Sequence, residues 1–258
     1  MSLDSDVKMH GEVHRLQPIP IAENTDGPAR LSRYGAVVVE SMYGGAKHPL
    51  VEEGSYLVAI NPTISTGMTQ VAAQTAFSDT APNLYIFNAE NPGNPNAKSI
   101  YMDYVKMIAT AAATAATSIQ YAFVLDSAQR APTTDNTQAL TIVNPNGNAP
   151  NLISPVVRWQ NSATASVIPA SSAAKRVVGR GCLGGLNVAG DVMRIVFGST
   201  DVGSHAGLTA VQAAALRNCA DHSPAIIVPP GWSLVGHLWA PASTASWNPE
   251  VEVAFWAR

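Results

Sequence analysis

Residues 118 to 126, SIQYAFVLD, alternate in a way that only an extended chain can use. Ile119, Tyr121, Phe123 and Leu125 fall on one side, and Ser118, Gln120, Ala122 and Asp126 fall mostly on the other. A repeat of two is the mark of a strand with one face on a core; a helix needs a repeat of 3.6. The same texture recurs along most of the chain. Gly54 to Ile60 stops at Asn61-Pro62, where the proline removes a donor and biases the residue before it away from helix. Asn83 to Asn88 runs into the loop NPGNPN. Ile100 to Ile108, Asp191 to Phe197, Ile226 to Val228 and Glu250 to Arg258 continue the series; in the last, Val251, Val253 and Phe255 oppose Glu252, Ala254 and Trp256. Strand 118–126 is expected to be half-buried and to pair with 100–108 through ATAAATAAT at 109–117. The threonines of that link favour an extended hairpin over the helix that its alanines would allow. The helical candidate is Leu208 to Arg217, with Leu208, Val211, Ala215 and Leu216 at helical spacing. About eight strands at this spacing predict an all-β fold, a jelly-roll-like antiparallel β-sandwich.

The first 45 residues read differently. Pro18, Pro20 and Pro28 interrupt each short apolar run, which blocks helix formation and favours an extended arm; GAVVVESMYGG at 35–45 is a candidate short strand within it. The expected organisation is an extended N-terminal arm over 1–45 and one sandwich domain over 46–258, a length that one β core can fill.

Charged residues make up 13% of the chain, against roughly a quarter in ordinary soluble domains. The solvent face is therefore largely neutral, and such a surface meets another subunit without the cost of desolvating charges. A net charge of −3 with scattered Lys and Arg provides no basic stripe for phosphates, so no direct nucleic-acid partner is expected. MSLDSDVKMH lacks an apolar leader, and no apolar run approaches the ~18–20 residues of a membrane span, so neither export by a signal peptide nor membrane insertion is expected. Cys182 and Cys219 read as two partly buried thiols rather than a disulfide, and two cysteines are too few for a metal site unless distant histidines join them.

Candidate chemistry is sparse. Gly179, Gly181 and Gly184 match G-x-G-x-x-G, with Asp201 downstream, but Gly185, Gly190 and a β pattern follow where the dinucleotide motif needs a helix; these glycines read as turn or bulge positions between strands. His10, His14, His48, His205, His222 and His237 lack metal-site spacing. Asp221-His222-Ser223 holds three triad residue types in a row, an arrangement that does not build a relay. Glu52 and Glu53 read as solvated. Ser233, in Gly231-Trp232-Ser233-Leu234-Val235-Gly236, misses the nucleophile elbow because Val235 stands where the second glycine belongs. Pro229-Pro230-Gly231 then reads as a turn and Trp232 to Trp239 as a strand, with Ser233→Ala nearly silent. No catalytic, cofactor-binding or metal-binding residue is expected, and the chain is read as non-enzymatic.

PPGWSLVGHLWAP followed by EVEVAFWAR resembles the closing strand pair of virion structural proteins of tailed bacteriophages, and EEGSYLVAINPTISTG and SIYMDYVKM are similar to earlier parts of that group. The resemblance implies a jelly-roll head decoration (cement) or minor capsid protein. Such a protein is made in the host cytoplasm and carried on the virion, at the head surface by preference. Its partners would be the major capsid protein or other virion proteins, and copies of itself, with a trimer favoured. The arm would add main-chain hydrogen bonds to a neighbour's sheet edge. The competing expectation is a trimeric receptor- or glycan-binding jelly roll on a tail or head appendage, with Trp159, Trp232, Trp239, Trp247 and Trp256 as candidate stacking faces.

Overall fold

The computed structural model describes residues 47–69, 74–110, 119–132, 136–148, 150–183, 189–198, 221–240 and 248–258. After a short helix, α1 (Lys47–Glu52), come thirteen strands among these residues: β1 (Tyr56–Ile60), β2 (Leu84–Phe87), β3 (Ile100–Ala109), β4 (Ile119–Asp126), β5 (Thr137–Ala139), β6 (Thr141–Val143), β7 (Val156–Gln160), β8 (Arg176–Leu183), β9 (Val192–Phe197), β10 (Asp221–Ser223), β11 (Ile227–Val228), β12 (Ser233–Trp239) and β13 (Pro249–Ala257). One sheet runs β10-β9-β3-β13-β1-β6, with β11 also on β3; the other runs β5-β7-β2-β12-β4-β8. The expected arm and its 35–45 strand, the helix at 208–217, most of the 109–117 link, Gly184, Asp201, Cys219, His10, His14, His205, Trp247 and the side chains of His48 and His222 lie outside the described residues.

The pairing has a single logic. The first strand pairs with the last, β1 with β13; β2 pairs with β12, β3 with β9 and β4 with β8, all antiparallel. A long hairpin of that kind, rolled so that β13 also meets β3 and β12 also meets β4, is the double Greek key of a jelly roll. The all-β sandwich expected from the sequence is the observed fold. The proposed pairing of β3 with β4 is not: those consecutive strands lie in opposite sheets. Alternation fixes which face of a strand is buried and carries no information about which strand lies beside it.

Inward residues of both sheets form one core, with Leu57, Met107, Ile195, Val253 and Phe255 from one sheet facing Ile86, Phe123, Trp159 and Leu234 from the other. Gly236 faces Phe123 and Leu84: a Cβ there would come within 3.2 Å of the ring and 3.0 Å of the Leu84 Cβ, so a larger residue would fit only if those side chains gave way by a few tenths of an ångström. At one lateral side the sandwich is closed by a bent strand. β5 ends at Ala139 in one sheet and β6 begins at Thr141 in the other, with buried Leu140 at the corner donating its N–H to the Val157 carbonyl.

Pro229-Pro230-Gly231 forms the expected turn. The Trp232 amide donates to the Pro229 carbonyl at 3.1 Å and Gly231 has φ 75°, the geometry of a type II turn with proline and glycine at its central positions. Gly179 and Gly181 lie inside β8 and not between strands as expected, beside a bulge where Phe123 faces Gly179 but Val124 faces Val177, so that Val178 is extra.

The connections β1–β2, β3–β4, β8–β9 and β12–β13 leave from one end of the sandwich, and their described portions are tied together there. Met68 donates to the Pro249 carbonyl (2.8 Å), Thr110 to that of Asn248 (3.2 Å), Gly190 to that of Ala109 (2.8 Å) and Ala240 to that of Gln74 (3.0 Å).

Candidate functional site

β4 is buried on both faces, not on one as its alternation suggested. Its outward residues Ala122, Val124 and Asp126 are buried, and Asp79, Ala128, Arg130 and Ser172 reach the outer face of the six-stranded sheet from the segments around them. Polar groups of these segments meet those of β4 and β12. Asp126 (0% exposed) and Arg130 (3% exposed) form an ion pair at 2.9 Å. The Ala128 amide (2.9 Å) and the Ser172 amide (3.1 Å) also donate to the Asp126 carboxylate, and the Arg130 Nη2 reaches the Asp79 carbonyl at 3.3 Å. Burial raises the pKa of Asp126, but the hydrogen bonds from Ser172, Ala128 and Arg130 outweigh it and hold the carboxyl below its ordinary range.

Ser233 belongs to this network as an acceptor. Its Oγ, buried opposite Asp126 in the strand register, receives the Arg130 backbone N–H at 2.8 Å. The expectation that Ser233→Ala is nearly silent is therefore corrected. The substitution leaves a buried amide without its partner and is expected to cost about 1–3 kcal/mol, read as a lower urea midpoint with unchanged slope. A midpoint equal to that of the parent chain would refute the assignment.

Further along the same strand face, His237 is 1% exposed. Its Nδ1 lies 3.0 Å from the Ser78 carbonyl, which can only accept, so Nδ1 carries the proton; Nε2 is buried with no hydrogen-bond partner among the described residues. Burial lowers its pKa to about 4, with Arg130 and Lys175 adding to the effect and Asp79 and the Ser78 carbonyl opposing it. Asp79 is itself paired with Lys175 at 2.7 Å. Phe77 packs on the imidazole, ring centroids 4.7 Å apart, so the 74–82 segment is strapped to β12 by both an aromatic and a polar contact. Ser233 and His237 are four residues apart on an extended strand, roughly 13 Å, which does not join them as nucleophile and base.

Beyond the strap the outer face opens into a groove of about 560 Å³. Phe77 and Trp239 line it together with Gln120 and Ala122 of β4 and Val177, Arg180 and Cys182 of β8. Phe77 meets the Trp239 ring edge-on at 5.8 Å. Val177 is 60% exposed, and Cys182 is exposed rather than partly buried as expected, because both sit on the sheet-edge strand β8. β5 to β8 and this groove were missed in the sequence: β5 and β6 have three residues each and β8 is interrupted by glycines, whereas β7, with Val157 and Trp159 on one face and Arg158 between them, carried an alternation that could have been read.

The opposite sheet carries a second polar array on its outer face. The Tyr56 hydroxyl donates to Asp103 (2.6 Å), the Tyr104 hydroxyl donates to Glu252, Lys106 pairs with Glu252 (3.0 Å) and Arg194 lies over the Tyr104 ring at 4.3 Å. Burial, reinforced by the adjoining carboxylates, pushes both phenols well above their ordinary pKa. Every member points at another member, so the array locks strands together and presents little to a ligand.

The tryptophans separate by environment. Trp159 is fully buried in the core, Trp232 packs against the core with the Arg176 guanidinium 5.6 Å from its ring, and Trp256 stacks on Tyr101 at 5.7 Å. Trp239 is half-buried and lines the groove. Glu52 and Glu53 are exposed. Among the described residues no three His, Cys, Asp or Glu side chains converge to hold a metal ion, and no helix is long and apolar enough to cross a membrane. Comparison of the chain with known protein families, curated proteins and solved structures gave no match.

Proposed function

We propose that this chain is a non-enzymatic virion structural protein of a bacteriophage, a head decoration or cement protein whose work is contact with copies of itself and with the major capsid protein. The observation that carries this reading is the chemistry of one end of the sandwich. The four connections whose described portions meet there, 61–83, 110–118, 184–191 and 240–248, contain in sequence only two charged residues, Asp79 and Asp191; the rest is dominated by Ala, Ser, Thr, Asn and Gly. Of the two, Asp79 is drawn away over the outer face by Lys175. An end of small neutral residues packs against a symmetry-related copy with little desolvation cost and no like-charge repulsion. The jelly roll supports the reading in a weaker sense, since the architecture serves viral shells and lectins alike and leaves the choice to the site. The C-terminal resemblance to phage virion proteins points to the shell. An arm over 1–45 would extend the contact to a neighbour.

Sedimentation velocity of the full chain tests this. A closed oligomer is expected, and Ala189→Glu, which puts a charge on an exposed position of the neutral end, is expected to dissociate it at least tenfold more readily without lowering the melting temperature. A chain that stays monomeric and fails to decorate phage heads, or an oligomer indifferent to Ala189→Glu, would remove the reading.

A further inference from the structure

The groove beside β8 has a combination of surfaces that the assembly role does not use. Trp239 and Phe77 line it side by side, and Ala122 and Gly181, also in the lining, carry little or no side chain to fill it. Gln120 and Arg180 line the same groove, and Arg180 is the one charged residue in its lining among the described residues. Arg180 faces Ala122 across the β4–β8 pair while Gln120 faces Cys182, so cation and amide stand two residues apart on one sheet face. A volume of about 560 Å³ lies within the ordinary range for small-ligand sites.

We propose that this groove binds a saccharide bearing a carboxylate, with the apolar face of the sugar ring on Trp239, the carboxylate on Arg180 and a hydroxyl or acetamido group on Gln120. Each assignment follows from the group's chemistry. An indole offers a flat, polarisable face with a polar edge. A guanidinium takes a carboxylate through two parallel hydrogen bonds and is the residue type that distinguishes an acid from its neutral analogue. A side-chain amide both donates and accepts, as a sugar hydroxyl requires. An aliphatic peptide side chain would leave Arg180 and Gln120 unanswered, and a neutral sugar would leave Arg180 unanswered. The proposal is independent of the oligomer: the groove is built within one chain, and its failure would leave the assembly reading untouched.

The test titrates the full chain with sialyllactose, with a galacturonate trimer and with lactose, following tryptophan emission and, separately, ligand saturation-transfer NMR. Expected are dissociation constants of about 1 mM for the two acids and at least tenfold weaker binding of lactose. Trp239→Ala should abolish the signal for all three sugars. Arg180→Met should weaken the acids about tenfold and leave lactose unchanged, and melting temperatures should hold in both variants. Equal affinity for lactose and the acids, indifference to Arg180→Met, or no binding at 20 mM would overturn the proposal. So would dissociation of the oligomer by Trp239→Ala with no sugar bound to the parent chain, which would make the groove a subunit contact.

Discussion

Arg130→Met is expected to destabilise the sandwich by about 3–5 kcal/mol, the usual cost of stripping a buried carboxylate of its cation. Asp126 has no route to solvent, and of its donors the variant keeps the Ala128 and Ser172 amides and loses the guanidinium at 2.9 Å. The methionine fills the side-chain volume and keeps the backbone amide that serves Ser233, so the loss reports the charge and not a cavity. Replacing both partners, Asp126→Leu with Arg130→Met, should recover only part of the loss. The two amides that pointed at the carboxylate are then left without acceptors, which costs about 1–3 kcal/mol each where water cannot replace it. Urea unfolding of parent, single and double variants measures all three quantities. A single variant within 1 kcal/mol of the parent would mean that the pair is solvated and that the segments over β4 do not seal it.

The contrast between what the sequence disclosed and what it concealed follows from the same strand. The alternation of Ile119, Tyr121, Phe123 and Leu125 located β4 and its core face correctly. It suggested a solvated outer face because Gln120 and Asp126 are polar, and Asp126 proved to be the most buried acid in the ion-pair network. A carboxylate whose partner lies four residues on, in a segment with no regular pattern, looks like a surface residue until the chain folds back. The Pro229-Pro230-Gly231 turn was legible because its residue types are dictated by local dihedral angles. The partner of β3, the corner at Leu140 and the groove at Trp239 depend on chain segments far apart in sequence, and no local pattern specifies them. Ser233 shows both sides: its place on a strand was readable, whereas its bond to the Arg130 amide was not.

The sandwich is expected to lose stability in acid at a higher pH than Asp79 and Asp126 titrate, and His237 is the cause. In the folded chain the imidazole is held neutral, Nδ1–H on the Ser78 carbonyl and Nε2 enclosed without an acceptor among the described residues; a proton added at Nε2 would be a buried charge with Arg130 and Lys175 opposing it and Asp79 favouring it. Its pKa is lowered from 6.5 to about 4, so in the unfolded chain it takes up a proton that the folded chain refuses. Stability from this residue is complete above pH 6.5 and falls as pH drops toward 4, by about 3 kcal/mol at the lower limit, since each pKa unit corresponds to about 1.4 kcal/mol. The ion-paired carboxylates Asp79 and Asp126 have lowered pKa values and so begin to cost stability only below about pH 4, which separates the two effects. His237→Gln keeps a donor for Ser78 without a titrating ring. Urea midpoints measured from pH 8 to 4.5 should therefore fall steeply for the parent chain and fall less for the variant, the difference being the contribution of His237 alone. Parallel curves would place the acid sensitivity elsewhere. Because Phe77 rests on the same imidazole and walls the groove, release of the 74–82 strap in that window should remove sugar binding together with stability.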